Sequence, residues 1–315
     1  MVDAATEDGG SMLPYYAYRL AEAVVRVAPH RFSYWLGDRC ADALLLAVPS
    51  RFDPLRDNLR HVMPDADDTA FQRTVRRNLR NLTHSWIDVM EMSSGRADLP
   101  SRLDITGLHN YTSALRRGKG IVIASCHYGS WEVGLAGWNA MGYDMALLAE
   151  VLRPRRLFER VIGARGKQRV HVIPIDIAAM KSGDVPAARR IGASAMREVF
   201  RVLRGGGSVA IALDRDLIGN GSPVEFFGRA APIPVGAVEI ALRAGSDVIP
   251  VVLRRNGLRV EAFCHPSVPY DPDADRELEV HRVTREVLAI FENEIRRHPD
   301  QWHVLDRIWE GTPAA

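Results

Sequence analysis

The residues best placed to do chemistry stand where an apolar run stops. Gly120–Ser125 (GIVIAS) is followed by Cys126-His127-Tyr128-Gly129-Ser130-Trp131-Glu132. Histidine is the side chain that changes charge near neutral pH, and at a strand end it stands ready as a general base. Glu132 completes an H-x4-E motif. Folded back over one helical turn, its carboxylate would meet an imidazole nitrogen, set the tautomer and stabilise the imidazolium. The backbone N–H groups of Gly129–Trp131, at the start of the following helix, would then serve as oxyanion donors. A core histidine beside a helix-start glutamate is the plainer alternative, because the motif is short.

A second strand end carries Leu213-Asp214-Arg215-Asp216. Three charged residues after an apolar run must reach solvent or line a site. Asp214 is a candidate second carboxylate for the histidine. Ser130, Arg215 and Asp216 are candidate substrate contacts, with Arg215 suited to phosphate or carbonyl oxygen. Further on, Phe226 and Phe227 either wall an apolar acyl channel or plug the core. Cys126 precedes the histidine, but strand neighbours point to opposite faces, which argues against a Cys/His pair. Cys40, Cys126 and Cys264 include no CxxC, so neither a disulfide framework nor a metal site is expected. The G-x-S-x-G, G-x-G-x-x-G and P-loop patterns are absent. No basic stripe with interleaved aromatics points to nucleic acid.

These residues need a scaffold, and the pattern from residue 104 supplies one. Strand-like runs at 120–125, 145–149, 170–175, 208–213, 247–253 and 260–264 alternate with helical runs at 108–117, 131–141, 154–167, 192–204, 235–244 and 277–298. Short apolar strands between helices predict an α/β fold with a mostly parallel central sheet flanked by helices. Ligands of such sheets sit beyond the carboxyl ends of the strands, where both motifs lie. The chain divides into a disordered tail (1–12), an N-terminal helical region (13–100) and one α/β core (101–315). In the helical region Tyr16, Leu20, Val24 and Val27 share a face. Amphipathicity there fits either a membrane-docking pair of helices rich in interfacial aromatics or ordinary packing on the core.

The 315 residues are 47% hydrophobic and 25% charged, as in soluble globular proteins, with a formal net charge of +2. Of 41 basic residues 38 are arginine, the better fork for phosphate or carboxylate, although a GC-rich genome that writes Arg for Lys is the simpler account of the bias. No secretory signal and no membrane-spanning run is expected.

In combination, H-x4-E, the AEVLRP segment at 149–154, LDRD, VEFFGRAAPIPVGAVEIALRAGSDVIPVV and HPDQWHVLDRIW resemble the bacterial lysophospholipid acyltransferase superfamily, in the branch of the lipid A late acyltransferases. The resemblance covers about residues 15–310, and AE-x-L-x-P with WH-x-L-x3-W is most similar to members that acylate phosphatidylinositol mannosides. It implies an acyltransferase that moves a fatty acyl group from a thioester donor, acyl-CoA or acyl carrier protein, to a hydroxyl of a membrane glycolipid or lysolipid, without a cofactor. His127, Glu132 and Asp214 match the catalytic positions, with Asp214 standing where the mannoside-acylating members have glutamate. Glu150 and Arg165 match polar residues of the acceptor cleft. Arg153, Arg155, Arg156 and Arg165 become candidates for the phosphates of coenzyme A or of an anionic headgroup, or else line a solvated helix face. The resemblance also implies a peripheral or monotopic protein at the cytoplasmic face of the inner membrane, docked through residues 13–50. Lipid A-type, lysophospholipid and natural-product acyl transfer remain alternatives, as does a lipid-binding protein without turnover.

Overall fold

The computed structural model describes residues 11–94 and 100–309. The expected disordered tail therefore lies, up to residue 10, outside the described residues. Four helices come first: α1 (Leu13–Val27), α2 (His30–Ala47), α3 (Asp53–Val62) and α4 (Asp68–Ser94). Prolines near the first helical position open α1 and α3, where the missing N–H costs nothing. The remainder alternates strand and helix: β1 (Leu103–Thr106), α5 (Leu108–Arg117), β2 (Ile121–Ser125), α6 (Trp131–Ala140), β3 (Met145–Glu150), α7 (Arg155–Lys167), β4 (His171–Ile175), α8 (Ile177–Met180), α9 (Val185–Arg204) and β5 (Ser208–Ala212). A hairpin of β6 (Ser222–Phe226) and β7 (Arg229–Ile233) interrupts the alternation. Then come α10 (Gly236–Ala244), β8 (Asp247–Asn256), β9 (Arg259–Cys264), α11 (Arg276–Arg297) and a 3-10 turn at Pro299–Gln301.

Seven strands form one sheet in the order β1-β9-β8-β2-β5-β3-β4. The five from β8 to β4 are parallel, whereas β9 returns antiparallel to β8 and β1 runs parallel to β9. The mostly parallel α/β architecture expected from the sequence is thus the observed one. The central strands are buried on both faces, which is why they read as unbroken apolar runs. In β2, Val122 and Ala124 face a core shared with α9, α10 and α11, while Ile121 and Ile123 face Tyr111 of α5 and Trp138 of α6.

Three features depart from the sequence pattern. Helix α9 starts at Val185 rather than residue 192, because Asp184 caps it by accepting from the N–H of Ala187 at 2.9 Å. Strand β1 is short and half exposed. The β6–β7 hairpin carries Pro223 and Pro232 directly opposite each other, which masks its strand pattern.

The N-terminal helices are bound into the α/β core. Asn58 of α3 donates to the carbonyls of Val304 and Asp306, and Asn78 of α4 donates to that of Trp302 at 2.7 Å.

Candidate active site

Pairing register brings the two strand ends together. Ser125 of β2 lies opposite Ala212 of β5, and the ladder continues as the Leu213 N–H donates to the Ser125 carbonyl. His127 and Asp214 each follow their strand by two residues, so they arrive side by side. Asp214 Oδ1 lies 2.8 Å from His127 Nδ1. Its Oδ2 accepts the backbone N–H of His127 and the indole N–H of Trp302, both at 2.8 Å.

Burial alone would raise the Asp214 carboxyl. The charge of His127 and the donors from His127 and Trp302 outweigh it and hold the group below the usual carboxylate range. An ionised carboxylate only accepts, so Nδ1 carries a proton, and in the neutral ring it is Nε2 that holds the lone pair. The Asp214 side chain is fully enclosed, whereas that of His127 is 33% exposed. A histidine with an anchored inner nitrogen and an accessible outer face has the form a general base requires.

The turn after His127 depends on Gly129, whose φ is +66° and where an added Cβ would lie 1.5 Å from the Leu253 carbonyl oxygen. Its own N–H donates to the Gln301 carbonyl, and that of Tyr128 to the Cys126 carbonyl. The expectation that Gly129 supplies an oxyanion donor therefore fails, because this N–H is already engaged.

Glu132 does not meet the histidine. It is buried against Arg165, which donates from Nη2 to Oε1 at 2.6 Å and from Nε to Oε2 at 3.2 Å. Sequence proximity suggested the wrong carboxylate, since α6 turns Glu132 toward α7 while the neighbouring strand delivers Asp214. Arg165 is accordingly the fixed partner of Glu132. Ser130 is fully buried and donates to Asp88 Oδ2 at 2.6 Å, so its hydroxyl faces inward and does not serve as a surface contact for substrate.

The other expected residues fall on two sides. Glu150 ends β3, and Arg215 follows β5, two residues beyond Leu213. Because β3 adjoins β5, Arg215 reaches Glu150 at 3.4 Å and also pairs with Asp306. Asp216 organises its own loop by accepting the N–H groups of Ile218, Gly219 and Gly221. Phe226 is wholly buried, stacked on Trp309 at 5.8 Å and set edge-on to Trp302, so it plugs the core. Phe227 is half-buried in the hairpin turn with Arg296 over its ring. Cys126 packs in the core, where burial pushes its thiol well up and away from nucleophile duty. Arg153 pairs with Asp176 and Arg155 with Glu159.

Several residues escaped the sequence reading. Trp302 holds Asp214 in place. Asp88, inside α4, is fully buried and accepts from Tyr34, Arg102, Ser130 and Arg255. Burial raises its carboxyl, but Arg255, Arg102 and these hydrogen bonds bring it below the ordinary range. Through Ser130 this buried carboxylate fixes the start of α6 behind the His127 turn. His303 donates its backbone N–H to the His127 carbonyl at 2.7 Å. Burial, then the charges of Arg255 and His127, lower its imidazole to about 3. The signal for Asp88 was a carboxylate within the apolar face of a helix, and for Trp302 the QWH ending itself.

A parallel sheet that presents a carboxylate-held imidazole at its carboxyl edge defines an α/β protein suited to proton transfer. The chain belongs to the bacterial lipid A biosynthesis acyltransferase family, whose profile matches residues 11–310. By that membership it is an acyltransferase, of the kind that transfers acyl groups to lipid acceptors. It is 26% identical over 262 residues to the phosphatidylinositol mannoside acyltransferase of Mycolicibacterium smegmatis, covering 82% of this chain and 79% of that one. The protein of the same description from Mycobacterium tuberculosis strain H37Rv is also 26% identical over 262 residues, covering 82% and 77%.

Proposed function

We propose that the protein transfers a fatty acyl group from an acyl-CoA thioester to a hydroxyl of a membrane glycolipid of the phosphatidylinositol mannoside type, at the cytoplasmic face of the membrane. His127 Nε2 takes the acceptor proton as the hydroxyl oxygen attacks the thioester carbonyl. The carbon–oxygen bond forms, the tetrahedral intermediate collapses with loss of the carbon–sulfur bond, and the imidazolium returns its proton to the departing thiolate. Asp214 orients the ring and stabilises its charged form, and Trp302 orients Asp214. General base catalysis of this kind contributes roughly 10²–10⁴-fold. Glu132 acts indirectly, by holding Arg165 as a fixed wall, and Glu150 with Arg215 supplies polar contacts for the acceptor.

The observation that carries this reading is the buried Asp214 carboxylate bridging His127 and Trp302. The named relatives support the acceptor class. Docking is supported by the exposed apolar residues of α1 and α2, and no helix among the described residues is long and apolar enough to cross a membrane.

The test is thiol release from palmitoyl-CoA with a mannolipid acceptor, for wild type and His127→Ala. Acceptor-stimulated release that disappears in the folded variant is expected. Release that survives the substitution would overturn the assignment of the base.

A further inference from the structure

Beyond the end of β2, strand β8 continues for several residues before turning into β9. Ala124 of β2 pairs with Pro250, and β8 runs on to Asn256. The overhanging hairpin, α2, α4 and the C-terminal 3-10 turn enclose an open groove of about 790 Å³. Gln301 separates it from the histidine turn, with its side chain bonded to the Arg255 backbone and its carbonyl accepting the Gly129 N–H. Strand order puts this groove on the β8 flank of β2, whereas Glu150 and Arg215 lie on the β5–β3 flank.

The lining is rich in arginine. Arg31, Arg77, Arg80, Arg254 and Arg255 line it with two carboxylates, Asp38 and Asp300, while Asp42 holds Arg80 at 2.6 Å and Glu261 holds Arg254. Asp38 holds His84 at 2.9 Å and Asp300 holds Arg77 at 3.3 Å. At the back, the 6% exposed Arg255 lies over the Tyr34 ring and donates to Asp88 through Nη2, while its buried Nε and Nη1 have no hydrogen-bond partner among the described residues. Unmatched donors on a buried guanidinium are costly, and an acceptor oxygen of opposite charge satisfies them best. Burial, then the charge of Arg255, lowers His84, so the groove's positive charge rests on arginine, above all on Arg31, which has no ion-pair partner among the described residues. A cleft of this size exceeds what a lone carboxylate needs, and the planar arginine fork matches phosphate oxygens. At the mouth stands Trp35, packed at a tilt against Phe32 with ring centroids 5.6 Å apart.

We propose that this groove is a binding site for a phosphate ester, distinct from the acyl-transfer site and independent of that reading. The ester is carried either by a soluble molecule or by a lipid headgroup presented beside Trp35.

Two probes separate the sources: glycerol 3-phosphate by calorimetry, and phosphatidylcholine vesicles with or without phosphatidic acid by flotation. The variant Arg31→Gln/Arg77→Gln alters the rim. Arg189→Gln/Arg190→Gln, on the exposed face of α9, removes the same charge elsewhere. Melting curves confirm that both variants are folded. Saturable binding of glycerol 3-phosphate identifies a soluble ester. Binding confined to phosphatidic acid vesicles identifies a headgroup. In either case the rim variant is expected to bind about tenfold or more weakly, with the α9 variant like wild type. An equal effect in both variants, or no preference of wild type for either phosphate probe, overturns the proposal.

Discussion

The two oxygens of Asp214 have different partners, and this makes an isosteric substitution informative. Oδ2 receives two fixed donors, the His127 backbone N–H and the Trp302 indole N–H. In Asp214→Asn the amide oxygen must take that position, because an NH₂ there would face two donors. The amide nitrogen is then turned toward Nδ1 of His127, which must give up its proton and become the acceptor. The proton moves to Nε2, and the outer nitrogen loses the lone pair that accepts the substrate proton. Under the proposed mechanism kcat falls by about 10³–10⁴-fold, the scale seen when a catalytic histidine loses its carboxylate partner. Far-ultraviolet circular dichroism should be unchanged. Activity within tenfold of wild type would mean that Asp214 is a purely structural carboxylate. Glu132→Gln is the contrasting substitution, since it weakens a pair with Arg165 and leaves the His127 tautomer alone.

At the scale of elements, the β6–β7 hairpin shows what an aromatic pair can and cannot signify. Phe226 pairs across to Arg229, leaving Phe227 and Gly228 as the two turn residues, both at positive φ, +51° and +75°. That is the turn geometry that matches strand twist in tight hairpins. It sends Phe226 inward against Trp302 and Trp309 and leaves Phe227 beside Arg296. Phe226→Ala should therefore cost about 3–5 kcal/mol of stability, read as a lowered denaturant midpoint, with acyl-chain preference unchanged. A stable variant with altered chain preference would instead make Phe226 a channel wall. The hairpin was illegible in the sequence because Pro223 and Pro232 break both strand patterns. The central strands were legible because burial on both faces leaves unbroken apolar runs such as 121–125 and 208–212. His127 and Asp214 were visible as polar residues at strand ends, but their pairing depends on β2 lying next to β5, which no local spacing encodes. H-x4-E drew attention to Glu132 for the converse reason: it is local along the chain and separated in the fold. Asp88 and Arg255 are 167 positions apart, so although a carboxylate within the apolar face of α4 hints at burial, no local pattern names its partner. Only tertiary packing buries them together.

For the whole molecule, the proposed mechanism requires that a lipid hydroxyl reach an imidazole at a sheet edge. Helix α1 offers part of an answer, because its two faces are sharply unlike. Tyr18 and Val25 face inward onto α4 and α7, and the buried Glu22 is held by Arg160 at 2.9 Å and by Ser93. Leu13, Tyr16, Leu20 and Val27 point outward, Leu20 being 71% and Val27 77% exposed, and Phe32 and Trp35 of α2 extend the apolar surface. The platform is thus held on one side and unpartnered on the other, as an interfacial helix must be. Since the outward residues add nothing to the core, Leu13→Ser/Leu20→Ser/Val27→Ser should leave the melting temperature within a degree or two of wild type. With about 1 kcal/mol forfeited per partly inserted side chain, vesicle partitioning should fall about a hundredfold. Thiol release separates docking from chemistry. The triple variant should turn over a detergent-dispersed acceptor like wild type and fail with the same acceptor embedded in vesicles. Equal loss in both formats would mean that the stripe shapes the catalytic cleft itself, and unchanged partitioning would move docking to another face of the protein.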